Sequence, residues 1–412
     1  MKKLVFLILP LLFCLLPKAI LADDYKLSAK SGIAFEVSTG KILYEKNAKK
    51  TLPIASLSKV LTTYLVYKEV QSGNLSWDTP VKISNYPYEL TTNYSISNVP
   101  LDARQYTVEE LLTAMLVTNA NSPAIALAEK IAGTEPLFVD KMKKQLQEWK
   151  IHKADLVNAS GLSNEQLGNH IYPNSQKDAE NKMSALDLAI VTRHLLLDYP
   201  QVLELTKKPA ATFRGDHIFS YNFLLEGMPN HRKGANGLFV AFSENNGASL
   251  ITSSTENKMS VVSIILNTEK SKDDKLAHFT TANTLLDNIA QKYEPVTLLG
   301  KGQHLKNKYF PVTDSPMKQI SLISDKTLTI IQKRGTTTTT NLVIKPLQKE
   351  FRAPIKQNQK LATASYKDSD RIGIGYLGDS PQVSLSAQQR APRSFFLKVW
   401  WNHLVTYVNE NL

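Results

Sequence analysis

Cysteine is nearly missing from this chain. The 412 residues contain one, Cys14, which excludes a fold stapled by disulfides. Long apolar runs are missing too. The best candidate, Leu4–Leu16, falls short of the roughly 20 residues that a bilayer-spanning helix needs. The eight histidines are scattered, with no His-x-x-x-His pair, so no metal site is expected. No Gly-rich phosphate loop occurs, and no cofactor is expected. Acidic residues are outnumbered, 37 against 49 basic ones, for a net charge of +12.

The amino terminus, MKKLVFLILPLLFCLLPKAILADD, places Lys2 and Lys3 before the apolar run and small residues after it. That order reads as a secretory signal over residues 1–22, cleaved after Ala22; a buried N-terminal helix is the alternative. Phe13 precedes Cys14 where a lipoprotein signal needs a small residue, so lipidation is not expected. Removing residues 1–22 takes away Lys2, Lys3, Lys18 and the cysteine, and leaves +9. A basic exported protein favours anionic lipid headgroups and wall polymers. Export also makes nucleic acid an unexpected partner.

Hydrophobic residues make up 42% and charged residues 21%, a globular composition on a chain long enough for two domains. Residues 23–293 read as mixed α/β. SGIAFEVSTGKILYEKNA alternates apolar and polar residues around Ser38-Thr39-Gly40, the pattern of a hairpin. YTVEELLTAMLVTNANSPAIALAEKIAG reads as helical, with a Thr107/Glu110 capping box and Gly133 as its stop. NKMSALDLAIVTRHLLLDYP predicts an amphipathic helix ending before Pro200. ASLITSSTENKMSVVSIILNTE predicts two strands about a polar turn, and KLAHFTTANTLLDNIAQKY a last helix. Residues 294–390 are rich in β-branched side chains and predict a separate all-β domain. Within it, Thr336–Thr340 reads as strand or loop.

The tail, residues 391–412, changes character again. After Ser394 as N-cap, Phe396, Val399, Trp400, His403, Leu404, Tyr407 and Val408 recur at helical spacing. The stretch is too polar to span a bilayer and too aromatic for a free tail. A helix lying in the membrane surface explains both properties; a helix docked on the protein itself is the alternative.

One short motif carries chemistry: Ser56-Leu57-Ser58-Lys59, at the start of a helical run. Three-residue spacing on a helix puts Ser56 and Lys59 on one face. The helix N-terminus favours negative charge on the serine oxygen. A lysine in a dry cleft can lose its proton and act as a base. The same spacing recurs in Ser315-Pro316-Met317-Lys318, where a proline-broken β-rich stretch does not align the side chains. Taken alone, the first copy reads equally as a helix cap followed by a solvated lysine.

The chain resembles the low-molecular-mass penicillin-binding proteins, the D-alanyl-D-alanine carboxypeptidases of streptococcal type. The resemblance covers nearly all of it. It is carried by IASLSKVLTTYLV, VPLDARQYTVEELLTAMLVTNANSPAIALAEKIAG, LVNASGLSN, NKMSALDLAIV and EGMPNHRKGANGL. It implies a serine β-lactamase/DD-peptidase-like α/β (α+β) domain, a small all-β domain and a C-terminal amphipathic helix. It also implies removal of the terminal D-Ala from peptidoglycan stem peptides through a serine acyl-enzyme, and acylation by β-lactams. The place implied is the outer face of the cytoplasmic membrane or the wall of a Gram-positive bacterium.

By this resemblance Ser56 is the nucleophile and Lys59 the general base. The second motif, Ser-x-Asn, falls at Asn119-Ala120-Asn121: Asn121 is kept, and Asn119 replaces the serine. A neutral amide is a poor proton shuttle, and losing a relay costs about 10²–10⁴ in rate. The third motif, Lys-Thr-Gly, falls at Phe239-Val240-Ala241, between Gly237-Leu238 and the turn Asn245-Asn246-Gly247. Its lost lysine and threonine are the family's partners for the substrate carboxylate, and a lost charged partner costs about 2–5 kcal/mol. These effects do not add simply. The backbone N–H groups of Ser56 and Phe242 still suit an oxyanion hole, which needs only main chain. Asn158–Asn164 reads as a structural turn near the cleft. Two functions follow: a carboxypeptidase with weakened activity, or a binding protein on the same fold with its hydrolytic cycle crippled.

Overall fold

The computed structural model describes residues 25–243, 245–336 and 341–411. The expected signal segment and Cys14 lie outside them. Around Ser38-Thr39-Gly40 the chain forms the expected hairpin, β1 (Ala29–Glu36) against β2 (Ile42–Lys46). The Glu36 carboxylate ties the turn, accepting from the Ser38 and Thr39 N–H groups at 3.1 and 2.7 Å. Three further strands, β3 (Ala235–Ser243), β4 (Gly247–Glu256) and β5 (Met259–Thr268), complete an antiparallel sheet of order β2-β1-β5-β4-β3.

Both faces of this sheet are covered, so its inner strands are buried at almost every position, β5 as a largely apolar run and β4 with small Ser and Thr side chains among its apolar ones. Val262, Ile264 and Leu266 of β5 face one core and Val261 and Ile265 the other, as two-residue periodicity requires. The first core is filled by five helices: α1 (Lys59–Gln71), α2 (Val108–Val117), α3 (Asn121–Ala132), α4 (Glu135–Glu148) and α5 (Ala185–Asp198). The second lies under α6 (Ala277–Lys292), through Phe279, Leu285, Leu286 and Ile289.

One expected helix is broken. The Thr107/Glu110 capping box and the Gly133 stop are in place, but Thr118–Ala120 separates α2 from α3. Asn119 takes φ +55°, a left-handed conformation that asparagine tolerates better than most residues. Pro123 falls in the first turn of α3, where a missing N–H is harmless. The helix expected from Asn181 starts only at Ala185, because Lys182–Ser184 pairs as a strand with Thr51–Pro53.

The second half is all-β, as expected. Tyr293–Leu299 pairs with Leu328–Lys333. A six-stranded sheet runs Leu342–Pro346, Lys360–Tyr366, Gln382–Ala387, Gln319–Ser324, His304–Thr313, Phe351–Arg352. The last helix, α7 (Phe396–Asn411), turns Val399 inward and sets His403 Nε2 2.8 Å from Asp314 Oδ1. Phe396, Trp400, Leu404, Tyr407 and Val408 remain exposed. Among the described residues no helix is long and apolar enough to cross a membrane.

The two halves are joined by more than their linker. The loop between Lys360–Tyr366 and Gln382–Ala387 reaches back to the β1–β2 hairpin. Ile42 N–H donates to the Gly375 carbonyl and Leu377 N–H to the Gly40 carbonyl, at 2.9 and 2.8 Å. Gly40 has φ +72°, and a Cβ there would meet the Leu377 carbonyl at 3.0 Å. Arg193 of α5 donates to the carbonyls of Val37, Ser38 and Leu377, and Leu377 packs into the first core. Beneath this strap Lys41 Nζ and Asp368 Oδ2 pair at 2.9 Å, both side chains 1% exposed. The Tyr376 hydroxyl donates to the same carboxylate oxygen at 2.7 Å. Removing one partner of a buried pair strands the other charge, at a cost of about 3–5 kcal/mol. Asp368→Ala is therefore expected to lose stability of that order in urea unfolding, whereas Asp325→Ala, in a surface turn of the β domain, stays close to the parent protein.

Candidate active site

The segment after strand Thr51–Pro53 does not enter α1 directly. A 3-10 turn, Ala55–Ser58, precedes it and runs on into Lys59. Ala55 has φ +43°, a strained conformation for a residue with a Cβ, and such strain persists only where the surroundings enforce it. Here the Ser58 hydroxyl donates to the Ala55 carbonyl at 2.7 Å, and Asn181 Nδ2 holds Ser58 Oγ at 2.8 Å. Gly161 lies so close that a Cβ on it would stand 1.9 Å from the Ala55 oxygen. The result is a half-buried Ser56 just ahead of a fully buried Lys59.

Lys59 Nζ has three neighbours: Ser56 Oγ at 3.0 Å, Asn121 Oδ1 at 2.7 Å and the Ser160 carbonyl at 2.9 Å. The Asn121 amide is oriented by its own Nδ2, which donates to the Ser97 carbonyl at 2.9 Å. Burial pushes the Lys59 ammonium down from 10.5 to about 7. A neutral amine has two N–H bonds and one lone pair. The Asn121 and Ser160 oxygens can only accept. They take both N–H bonds, so the lone pair is left facing the Ser56 hydroxyl, the arrangement needed to receive its proton.

Asn119 stands across the site. Its Nδ2 donates to the Val240 carbonyl of β3 at 3.0 Å, and its Oδ1 is buried without a hydrogen-bond partner. β3 is the edge strand of the sheet and lies against the 3-10 turn of Ser56. Because Asn119 reaches the Val240 carbonyl, that group faces the open edge. The register is regular from 238 to 243, so the Phe242 N–H, two residues on, faces the same edge.

The side chains of this strand are another matter. Phe239 and Ala241 are buried in the first core, and Phe242 is 58% exposed. Between α2 and β3 lies a cavity of about 10 Å³, bordered by Leu116, Val117, Asn119, Tyr221, Phe239 and Val240 among others, room for about one water. None of the bordering residues is charged.

Other groups fall elsewhere. Arg232, upstream of β3, is committed to Glu256 at 2.7 and 2.9 Å and to Asp287 at 2.9 Å. Ser315 accepts from the Met317 N–H inside the β domain. Asn158–Asn164, expected as a structural turn, supplies the Ser160 carbonyl to Lys59, so it is part of the site. Neither that carbonyl nor the Ser97 carbonyl has a sequence signature, since every residue carries one.

The D-alanyl-D-alanine carboxypeptidase family profile matches residues 18–270, and that of the penicillin-binding protein 5 C-terminal domain matches residues 293–389. The crystal structure of a peptidoglycan synthesis regulatory factor (PBP3) from Streptococcus pneumoniae is 42% identical, with a TM-score of 0.83. It covers 89% of this chain and 100% of that one. The D-alanyl-D-alanine carboxypeptidase DacF of Bacillus subtilis is 24% identical over 90% of this chain and 88% of its own length. Penicillin-binding protein D2 of Listeria monocytogenes, solved in its ampicillin-bound form, is 27% identical over 65% of this chain and 99% of that one, with a TM-score of 0.53. The chain belongs to the D-alanyl-D-alanine carboxypeptidase family, whose serine hydrolases act in peptidoglycan metabolism.

Proposed function

We propose that Ser56 is an acylating nucleophile with Lys59 as its base, and that the protein is a D-Ala-D-Ala carboxypeptidase with weakened turnover. Ser56 Oγ bonds to the carbonyl carbon of the penultimate D-Ala, and the C–N bond to the terminal D-Ala breaks. The hydroxyl proton passes to Lys59 and on to the departing amine. Water then cleaves the ester, its proton returning to Ser56 Oγ. Asn121 orients Lys59, and the N–H groups of Ser56 and Phe242 receive the oxyanion. The single observation behind this reading is the 3.0 Å contact of Ser56 Oγ with a lysine whose charged form burial disfavours.

The weak point is recognition of the substrate carboxylate, because Phe239, Val240 and Ala241 offer it neither charge nor hydroxyl. Asn119, tied to Val240, is a poor relay for deacylation. That bond, joining the two walls of the cleft, favours the second reading: a protein that binds peptidoglycan or a partner of wall synthesis without turning over. Residues 1–22 serve as the export signal in this proposal. Residues 391–412 lay the exposed aromatic face of α7 on the outer membrane surface of a Gram-positive cell, with residues 294–390 as a spacer.

Fluorescent penicillin is expected to label Ser56 of the purified protein and not Ser56→Ala. The rate should level off above pH about 7 and fall about tenfold per unit below it, as Lys59 protonates. D-Ala release from a pentapeptide should be slow; neither label nor release would leave the non-catalytic binding role. Combining Asn119→Ser, Phe239→Lys, Val240→Thr and Ala241→Gly should raise D-Ala release, with circular dichroism checking the fold. A folded variant with no gain would show that these positions do not form the carboxylate site. In liposome flotation the full chain should rise with anionic vesicles and a form lacking residues 391–412 should not; equal flotation would remove the anchor.

A further inference from the structure

Glu135 is a buried carboxyl that the acylation scheme leaves unused. It is the first residue of α4, directly after the N-cap Thr134, and only 4% exposed. Acidic residues at helix starts are common, but this depth of burial deprives a carboxylate of its hydration. Each oxygen has one partner. Oε1 accepts from the Ala159 N–H at 2.8 Å, and Oε2 from the Tyr86 hydroxyl at 2.9 Å.

Ala159 leads from there to the site. Its carbonyl accepts from Thr62 Oγ1 at 2.7 Å, on α1 one turn past Lys59. The next carbonyl, of Ser160, accepts from Lys59 Nζ. The next residue, Gly161, wedges against Ala55, which precedes Ser56. The start of this turn is clamped separately, since Asn181 Oδ1 accepts from the Val157 and Asn158 N–H groups. Glu135 therefore helps to hold the stretch of turn that touches both Lys59 and the approach to Ser56, together with Thr62 and with the Asn158 side chain, whose Oδ1 accepts from the Gly161 N–H at 2.6 Å, while making no hydrogen bond to Lys59 or Ser56 itself.

We propose that Glu135 is a positioning residue for the Ser56–Lys59 pair: through the Ala159 N–H it holds the Ser160 carbonyl against Lys59 Nζ and keeps water from the amine. This rests on the acylation reading above and adds a residue to it. The role is that of a hydrogen-bond acceptor. Burial pushes the Glu135 carboxyl up to about 7, against the pull of its two donors, and either protonation form keeps an oxygen for Ala159. A glutamine keeps that oxygen too, and the Tyr86 hydroxyl can turn to accept from its amide. A methionine fills similar space and offers no comparable acceptor.

The test compares the full chain with Glu135→Met and Glu135→Gln. Two readouts are used: the titration of Lys59, followed by NMR of 13C-lysine protein and assigned with Lys59→Met, and the rate of penicillin labelling. In Glu135→Met water reaches the amine, and the Lys59 midpoint should rise by at least about one unit. Labelling should slow about 10–100-fold, the scale of a small misplacement in a reactive pair. Glu135→Gln should keep both values close to the parent. A folded Glu135→Met with unchanged Lys59 titration overturns the proposal, and so does a Glu135→Gln as damaged as the methionine variant. If Glu135→Met fails to fold, Glu135→Leu, which also leaves the Ala159 N–H without its acceptor, is read in its place by the same two measures, and an unchanged Lys59 titration there overturns the proposal. A parent protein that takes up no penicillin refutes the acylation reading, while the Lys59 titration still decides the role of Glu135.

Discussion

The amino group of Lys59 has to exist without water. Removing an ammonium from solvent is expensive unless the surroundings hydrogen-bond it or it gives up its proton. Both outcomes are built in here. Three oxygens surround Nζ, and burial brings its titration to about 7. Each oxygen comes from a different part of the chain: the 3-10 turn, the start of α3, and the turn after Val157. Much of the surrounding architecture serves to bring these three to one point. α1 runs through the middle of the domain, with Val60, Leu61, Leu65 and Val66 all buried. The break at Asn119 ends α2 so that α3 can begin with Asn121 facing the lysine.

The opposite wall separates what main chain and side chains contribute. On β3 the backbone is regular, and its edge N–H and C=O groups face the site whatever the side chains are. Two of its side chains here belong to the protein interior. Phe239 and Ala241 complete a core, and Asn119 spends its amide on the Val240 carbonyl. The Ser56–Lys59–Asn121 cluster thus keeps the geometry that the proposed acylation needs, while Phe239, Ala241 and Asn119 serve packing and an internal hydrogen bond. A main-chain oxyanion hole, as proposed, needs no particular side chain on β3, whereas recognition of a charged group does.

The β domain is bound into the same structure. Its strap extends the β1–β2 hairpin, places Leu377 in the peptidase core and closes over the Lys41–Asp368 pair. A buried ion pair is a weak source of net stability but a strong penalty on separation. The contact therefore fixes orientation more than it adds affinity. With the β domain so held, α7 and its exposed aromatic face stand at a set position relative to Ser56.

Local features were readable along the chain. The hairpin at Ser38-Thr39-Gly40, the Thr107/Glu110 capping box, the Gly133 stop, the paired strands before and after Asn257-Lys258 and the change to β texture near Pro295 all rest on neighbours a few residues apart. The Ser56/Lys59 spacing belongs with them, because a helical turn brings residues three apart together without help from elsewhere. Other features depended on distance. Asn119 leaves the helix for a carbonyl 121 residues away, and a helix-forming pattern cannot register that. Ser160 contributes only main chain, and Glu135 acts through the N–H of Ala159, so neither differs in sequence from an ordinary turn or an ordinary helix start. By itself the sequence determined that Ser56 and Lys59 sit together on one turn, and that Phe239, Val240 and Ala241 carry neither charge nor hydroxyl. Only the tertiary structure decided that Lys59 is dry, which oxygens hold it, and that the two halves of the chain share a core, because desolvation is set by everything that surrounds a group and not by its neighbours along the chain.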